Sequence, residues 1–239
     1  MEVVRICLIH GAATGPSVWN ATVAALADVL PGAQVACPQR PSSGSLDIEV
    51  ETLAPYADGA IVVGVSGGAT LGLELAARGV AFTAAVLHEP AVGSLLPDLL
   101  KTVADAYRTG GPLAFGAALY GPAWHRELAP ADLSAVERDL AMFQRFEPRA
   151  PAPGSGPVLI TVGDNSPAIR HQAAKLLQDK FGFRTRAVAN CRHAIHLEQP
   201  RLLADLVAEI AAAAAAAEAA GAAAAAAAGE AATPRQVSQ

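Results

Sequence analysis

The chain has 239 residues, of which 52% are hydrophobic and 16% charged, and its formal net charge at pH 7 is −5. That length suits one domain, with or without an insertion, and that composition excludes a chain that is disordered throughout. The acidic balance, with no basic stripe, argues against a nucleic-acid partner. Before the Ala-rich tract that begins near residue 211, no apolar run reaches the roughly 20 residues that span a bilayer, so no membrane partner is expected.

Residues near the N-terminus and the cysteines bear on the cellular compartment. Glu2 and Arg5 interrupt the apolar start of the chain, which does not fit a signal peptide and favours a cytoplasmic protein. The three cysteines, Cys7, Cys37 and Cys191, are odd in number and widely spaced. They therefore predict neither a disulfide framework nor a CxxC site.

Apolar runs that predict strands alternate with segments of helical periodicity. Strands are predicted at 3–9, 33–37, 60–65, 83–88, 158–162 and 184–189. Helices are predicted at 17–30, 46–57, 67–78 and 168–180, with a last helix from about residue 197. Each strand is apolar along its length, as in a parallel sheet that is covered on both faces. Successive βα units thus predict an α/β protein whose mostly parallel sheet has helices on both faces.

The alternation stops between the fourth and fifth predicted strands. Helical segments are expected there at 98–108, 112–120 and 131–146, followed by a Pro- and Gly-rich connector. Six aromatic residues of this insertion are expected mainly to pack it onto the sheet, with one or two lining a pocket: Tyr107, Phe115, Tyr120, Trp124, Phe143 and Phe146.

Composition and pattern together divide the chain into three parts. The core comprises residues 1–93 and 157–210, and the helical insertion with its connector comprises residues 94–156. The Ala-rich tail, residues 211–239, is expected to extend the last helix or to be disordered, with disorder favoured at 233–239. We expect the insertion to lie over the carboxyl ends of the strands, where open α/β sheets bind ligands.

The strongest functional signal is the sequence Gly64-Val65-Ser66-Gly67-Gly68. It follows a predicted strand and opens a predicted helix, the context in which a GxSxG string forms a nucleophile elbow. The turn is so tight that the residues around the serine must lack bulky side chains, and the amides that open the helix favour a developing oxyanion. The alternative is a Gly-rich turn whose serine has no catalytic role.

A second signal is the sequence HGAA at 10–13, which ends the first predicted strand. Acyl transfer needs two donors aimed at the oxyanion, and the backbone amides of Ala12 and Gly67 can supply them. His10 is expected to brace this loop by hydrogen bonding. An HG pair is also an ordinary way to end a strand, so this signal depends on the others.

The third signal is the pair of histidines between the last predicted strand and the last helix. His193 is placed so that it can reach Ser66 from above the sheet as a general base. His193 and His196 also have the HxxH spacing of some zinc sites. No HExxH glutamate or third ligand accompanies them, so no metal is expected.

Together these segments resemble the α/β-hydrolase family, in particular its small esterase-like members with a helical cap. The resemblance covers about residues 3–210 and rests on HGAATGPSVW, the GVSGG elbow, the insertion and RHAIHLEQP. It implies that the serine nucleophile precedes the histidine base in the chain, here Ser66 and His193. It also implies that the insertion is a cap and that His196 lies next to the base.

The resemblance leaves the acid of the triad open between two residues. The family usually places it after the strand that follows the cap, where this chain has Ser166 at the usual position and Asp164 two residues earlier. Some members place it at the end of the strand before the cap, where Glu89 stands. Each residue alone also has a structural interpretation, Glu89 as a hinge and Asp164 as a helix N-cap. A Ser–His pair usually needs a third group, so one of the two should be the acid. Because Glu89 ends the strand next to the elbow strand, whereas Asp164 lies two residues before the usual position, we expect Glu89, with Asp164 as the alternative.

The predicted function is a serine hydrolase that cleaves a carboxylic ester or lactone of a small, largely apolar substrate through an acyl-enzyme, without a cofactor. A thioesterase, a C–C hydrolase or a perhydrolase would use the same triad. A non-catalytic small-molecule binder of the same fold is an alternative from another class. Because Ser66 takes the nucleophile position, epoxide and haloalkane hydrolases, which use aspartate there, are disfavoured. The sequence favours no particular oligomeric state.

Overall fold

A computed structural model describes residues 3–231 and has a six-stranded sheet at its centre. The strands are β1 (Arg5–Ile9), β2 (Gln34–Ala36), β3 (Ile61–Val65), β4 (Ala84–His88), β5 (Val158–Gly163) and β6 (Arg184–Val188). Every neighbouring pair is parallel, and the order across the sheet is β2-β1-β3-β4-β5-β6. The predicted α/β fold with a parallel sheet is therefore confirmed.

Helices connect the strands, as parallel pairing requires. They are α1 (Asn20–Val29), α2 (Leu46–Ala57), α3 (Gly67–Ala77), α4 (Lys101–Tyr120), α5 (Ala135–Gln144), α6 (Ala168–Phe181), α7 (Ile195–Glu198) and α8 (Pro200–Ala231). Short 3-10 helices lie at Pro16–Trp19, Gly93–Leu95, Pro97–Leu100, Gly121–Ala123 and Arg126–Leu128. The two helices α4 and α5, with four of these short turns, make up the helical insertion between β4 and β5.

Alternate side chains of the strands pack into two apolar clusters, one on each face of the sheet. In β1, Cys7 and Ile9 belong to the cluster shared with α2, α3 and α6. Ile6 and Leu8 belong to the other cluster, shared with α1 and α8. Because helices cover both faces, both sets of strand side chains must be apolar, which explains the continuous apolar runs in the sequence.

The helical insertion differs from its predicted segments in continuity. The segments predicted at 98–108 and 112–120 are joined in α4 across a kink at Gly111, where φ is 70° and ψ is −163°. Proline disfavours helical backbone at the residue before it and has no N–H to donate, so Gly111-Pro112 interrupts the helix. Two helical pieces meet there at an angle.

Two other helices start later than their sequence predicts. The helix predicted at 131–146 begins at Ala135, because the Asp132 carboxylate accepts a hydrogen bond from the Ser134 N–H at 3.0 Å and forms a turn instead. The helix predicted at 17–30 opens with the 3-10 turn Pro16–Trp19 before α1 begins.

The last helix, α8, begins with Pro200, where the missing proline N–H removes no helical hydrogen bond. It includes much of the Ala-rich tract and is described as far as Ala231. The disorder predicted for 233–239 concerns residues outside those described. Among the described helices, none has both the length and the apolar character needed to cross a membrane.

Candidate active site

Ser66 lies on the tight turn between β3 and α3, with φ of 58° and ψ of −124°. A non-glycine residue held at such angles costs on the order of 1–3 kcal/mol, which the surrounding structure must offset. A Cβ on Gly68 would lie 1.9 Å from the Ile9 carbonyl oxygen, and one on Gly64 would lie 2.5 Å from the Gly68 carbonyl carbon. The glycines are therefore required for the close approach of β1, β3 and α3 that forms the turn.

The loop after β1 passes directly beside Ser66. A Cβ on Gly11 would lie 3.2 Å from Cβ of Ser66, and one on Gly67 would lie 3.3 Å from the Ala12 nitrogen. The first amide of α3 and the Ala12 amide are thus neighbours, at the positive end of a helix. Such a pair suits a developing oxyanion.

His10 supports this loop through two contacts. Its Nε2 accepts a hydrogen bond from the Arg40 N–H at 3.4 Å, so its Nδ1 carries the proton and donates to the Gly11 carbonyl at 3.1 Å. Burial and the Arg40 charge lower the pKa of His10 to about 3. The ring is therefore neutral at pH 7, as this pattern of bonds requires.

His193 and Glu89 meet although 104 residues separate them in the chain. Nδ1 of His193, in the loop after β6, lies 2.8 Å from Oε2 of Glu89, which follows β4. Among the described residues, Nε2 of His193 is buried and has no hydrogen-bond partner. An imidazole that donates from Nδ1 keeps a free lone pair on Nε2, which is the form a general base needs.

Besides His193, Glu89 has two hydrogen-bond donors and one cationic partner. Its Oε1 accepts from the Gly163 N–H at 2.9 Å and from the Ser166 hydroxyl. Its Oε2 lies 3.0 Å from Nε of Arg170 in the first turn of α6. Burial alone would raise the pKa of Glu89, but the hydrogen bond from His193 and the charge of Arg170 hold it well below the usual range. Glu89 is therefore an ionised, buried carboxylate.

The structure does not bring the alternative acid, Asp164, to His193. Asp164 is exposed, and its backbone N–H donates to the Val188 carbonyl at 3.0 Å. Ser166, two residues later, is buried and bonds to Glu89. The residue at the family's usual acid position thus contacts the carboxylate that comes from the other loop.

His196 packs against aromatic rings. Its ring centroid lies 5.0 Å from that of Trp19 and 5.7 Å from that of Tyr120. Burial lowers its pKa well below the usual value. Within residues 3–231, no group of three or more His, Cys, Asp or Glu side chains is arranged to hold a metal ion.

Aromatic residues of the insertion cover this polar cluster. The ring of Tyr120 stacks on His193 at 5.6 Å, and its hydroxyl donates to the Ala12 carbonyl at 2.9 Å. Phe143 packs so closely on Gly67 that a Cβ there would lie 2.4 Å from the ring. Ser66 is only 7% exposed as a result. Burial raises the pKa of Tyr120 to about 12, so its hydroxyl keeps its proton.

Sequence reasoning gave no role to Ser166, Arg170 or Tyr120 in particular. Ser166 had a signal, because it occupies the position at which the family usually has its acid. Arg170 had none, since an arginine in the first turn of a helix is ordinary. Tyr120 was one of six aromatics, and only the fold shows that it reaches the site.

The sequence matches the family model described as "Alpha/beta hydrolase family" over residues 8–206. That match covers the end of β1, strands β2 to β6, the elbow at Ser66 and the loop that carries His193. Among curated proteins, none matches the sequence significantly.

Several solved structures share the fold. An enol-lactonase from Burkholderia xenovorans LB400 is 20% identical, with a TM-score of 0.65 over 89% of this chain and 92% of its own. A pyrethroid hydrolase from Sphingobium faniae JZ-2 is 16% identical, with a TM-score of 0.59 over 88% and 98%. The carboxylesterase CesB from Bacillus subtilis is 15% identical, with a TM-score of 0.58 over 86% and 82%. At these identities the likeness establishes the fold.

Proposed function

Because the chain belongs to the alpha/beta hydrolase family, we propose that it is a serine hydrolase that cleaves a carboxylic ester or lactone. The observation that carries the proposal is the buried pair of Glu89 and His193. In this pair, Nε2 of His193 has no partner among the described residues. Tyr120, which stacks on His193, also reaches the side chain of Ser66, a serine held at φ of 58° on a strand-to-helix turn. These are the parts of an activated nucleophile.

In the proposed reaction, Nε2 of His193 takes the proton of Ser66 as its oxygen attacks the substrate carbonyl. The amides of Ala12 and Gly67 donate to the oxyanion of the tetrahedral intermediate. His193 then gives the proton to the leaving alkoxide, and an acyl-enzyme forms. A water molecule, deprotonated by His193 in the same way, then attacks the acyl-enzyme and releases the carboxylic acid and Ser66. No cofactor takes part.

Glu89 is the proposed acid of the triad, in preference to Asp164. Its carboxylate holds Nδ1 of His193 at 2.8 Å and is ionised, so it can orient the ring and stabilise the imidazolium. Ser166, Gly163 and Arg170 fix that carboxylate from the other side. The exposure of Asp164 argues against the alternative.

Residues 94–156 are the proposed cap. Tyr120 and Phe143 place aromatic surface against His193 and Gly67, which favours a small apolar substrate. Ser66 and His193 are 7% and 6% exposed, so the proposed cap would enclose a substrate bound at these residues. The solved relatives named as an enol-lactonase and a carboxylesterase favour an oxygen ester over the thioester, C–C and peracid alternatives.

The direct test is labelling with a fluorophosphonate, which reacts with activated serines, followed by mass spectrometry of wild type and Ser66→Ala. We expect one adduct on Ser66 and none in the variant. A panel of p-nitrophenyl esters and small lactones then identifies the reaction. Tight binding of such compounds without labelling or turnover would overturn the proposal and favour a non-catalytic binder.

A further inference from the structure

We propose that Arg170 is a positioning residue that shares the carboxylate of Glu89 with His193 and so sets the pH at which the base becomes active. This inference rests on the proposed function, because it concerns the same base. Its geometry is a single carboxylate oxygen that has both a hydrogen-bond donor and a cation as neighbours. Oε2 of Glu89 lies 2.8 Å from Nδ1 of His193 and 3.0 Å from Nε of Arg170.

The other oxygen of Glu89 is also fully engaged. Oε1 accepts hydrogen bonds from the Gly163 N–H and the Ser166 hydroxyl. With the His193 hydrogen bond and the Arg170 ion pair at Oε2, both oxygens of the carboxylate have two polar partners each. Arg170 is only 12% exposed, so its charge acts on the pair with little screening. The negative charge of Glu89 therefore interacts with both the imidazole of His193 and the guanidinium of Arg170.

The remaining buried ionisable groups around this pair carry no charge at neutral pH. From β4, His88 lies 3.8 Å from Glu89, and burial lowers its pKa. From α7, the pKa of His196 is lowered well below the usual value by burial. From the loop after β6 and from α4, burial raises the pKa of both Cys191 and Tyr120 to about 12. Asp164 and Arg192 in the flanking loops are exposed.

Arg170 thus disfavours a second positive charge on His193. Burial lowers the pKa of His193 most, the Arg170 charge lowers it further, and Glu89 opposes both, which leaves it at about 4. His193 can accept the serine proton only when it is neutral, that is, above its pKa. As the pH is lowered, kcat/KM should therefore fall near pH 4, which is the acid limb of its pH profile. Removal of the Arg170 cation should move this acid limb to higher pH.

The experiment compares Arg170→Met with Arg170→Gln, which keeps a donor without the charge, and Arg170→Lys, which keeps the charge. The matched control is Lys175→Met on the same helix, which removes a cation whose side chain is 72% exposed. For each, kcat/KM of a p-nitrophenyl ester is followed from pH 3.5 to 8. We expect the acid limb to rise by about one pH unit or more in the Met and Gln variants, as loss of a neighbouring charge predicts. The Lys variant and the control should titrate like wild type.

A structural role alone predicts a different pattern. It lowers kcat at every pH and leaves the acid limb in place, and that result would overturn the proposal. A second readout does not depend on turnover: NMR titration of the His193 ring in wild type, Arg170→Gln and Lys175→Met. If wild type hydrolyses no ester, the proposed function fails, and the NMR comparison still decides on Arg170. Coincident His193 titrations in wild type and Arg170→Gln would contradict the inference.

Discussion

Two buried clusters in this molecule combine an arginine with carboxylates, and they differ in what they leave unpaired. The Glu89 cluster consists of Glu89, His193, Ser166 and Arg170. The Arg40 cluster consists of Arg40, Glu49 and Asp139. Each joins segments that are far apart in the chain.

In the Arg40 cluster, one cation lies between two carboxylates. Its Nη1 is 3.1 Å from Glu49 of α2, and its Nη2 is 2.6 Å from Asp139 of α5. Nη2 also donates to the Gly11 carbonyl at 3.3 Å. These contacts tie the insertion and the loop after β1 to the core. Nε of Arg40 has no partner among the described residues, but it is a donor that stays protonated.

In the Glu89 cluster, the atom without a partner is an acceptor. Nε2 of His193 has a free lone pair and is buried, and Tyr120 of the insertion stacks on the ring. A buried acceptor without a partner is destabilising, and a protein tolerates it where the atom has a task. The two clusters therefore differ in chemistry: the Arg40 cluster leaves a protonated donor without a partner, whereas the Glu89 cluster leaves an acceptor, which is the atom that the proposed mechanism uses as a base.

The largest expected effect is that of His193→Ala on catalysis. Without the base, kcat/KM should fall by about 10⁴-fold or more, and fluorophosphonate labelling of Ser66 should disappear. Circular dichroism checks that the variant is folded. Retention of a tenth of the wild-type rate would remove His193 from the proposed mechanism.

Arg40→Met should act on stability rather than on chemistry. It leaves two buried carboxylates without their cation, so the free energy of unfolding in urea should fall by about 3–5 kcal/mol. The matched control is Arg78→Met, whose side chain is 33% exposed and also bonds two carboxylates, and a much smaller loss is expected there. Equal losses in the two variants would contradict the structural role of the Arg40 cluster.

Ser166→Ala should have a smaller effect on catalysis. It removes one hydrogen bond to an ionised carboxylate, which corresponds to roughly a tenfold loss in kcat/KM. Ser42→Ala is the control, because its hydroxyl donates to Asp139 of the Arg40 cluster at 3.4 Å. That variant should keep wild-type kcat/KM. A Ser166→Ala enzyme as active as the control would mean that Glu89 needs no support from that side.

The sheet and the serine turn follow from local sequence. The strands were predicted to within one or two residues, because a sheet covered on both faces requires uninterrupted apolar runs. α2 was predicted at its observed bounds, Leu46–Ala57. The turn at Ser66 was readable because glycines at 64, 67 and 68 are needed for its close backbone contacts.

The polar clusters do not follow from local sequence. Arg40 and Asp139 are 99 residues apart, and Ser166 and Glu89 are 77 apart, so no spacing rule connects them. Sequence reasoning favoured Glu89 over Asp164 because Glu89 ends a strand next to the elbow strand and Asp164 lies two residues before the usual position of the acid. Which carboxylate meets His193 depends on how β4, β5 and β6 align, and that is a property of the assembled sheet.

The most direct test of the account is a comparison of Glu89→Gln with Asp164→Asn, since both variants remove a negative charge with almost no change of shape. Steady-state kcat/KM should fall by about 10³–10⁴-fold in Glu89→Gln, because the amide cannot hold the histidine in its basic form. In Asp164→Asn it should stay within about twofold of wild type, as expected for an exposed side chain. A large loss in Asp164→Asn with near-normal turnover in Glu89→Gln would contradict the central claim.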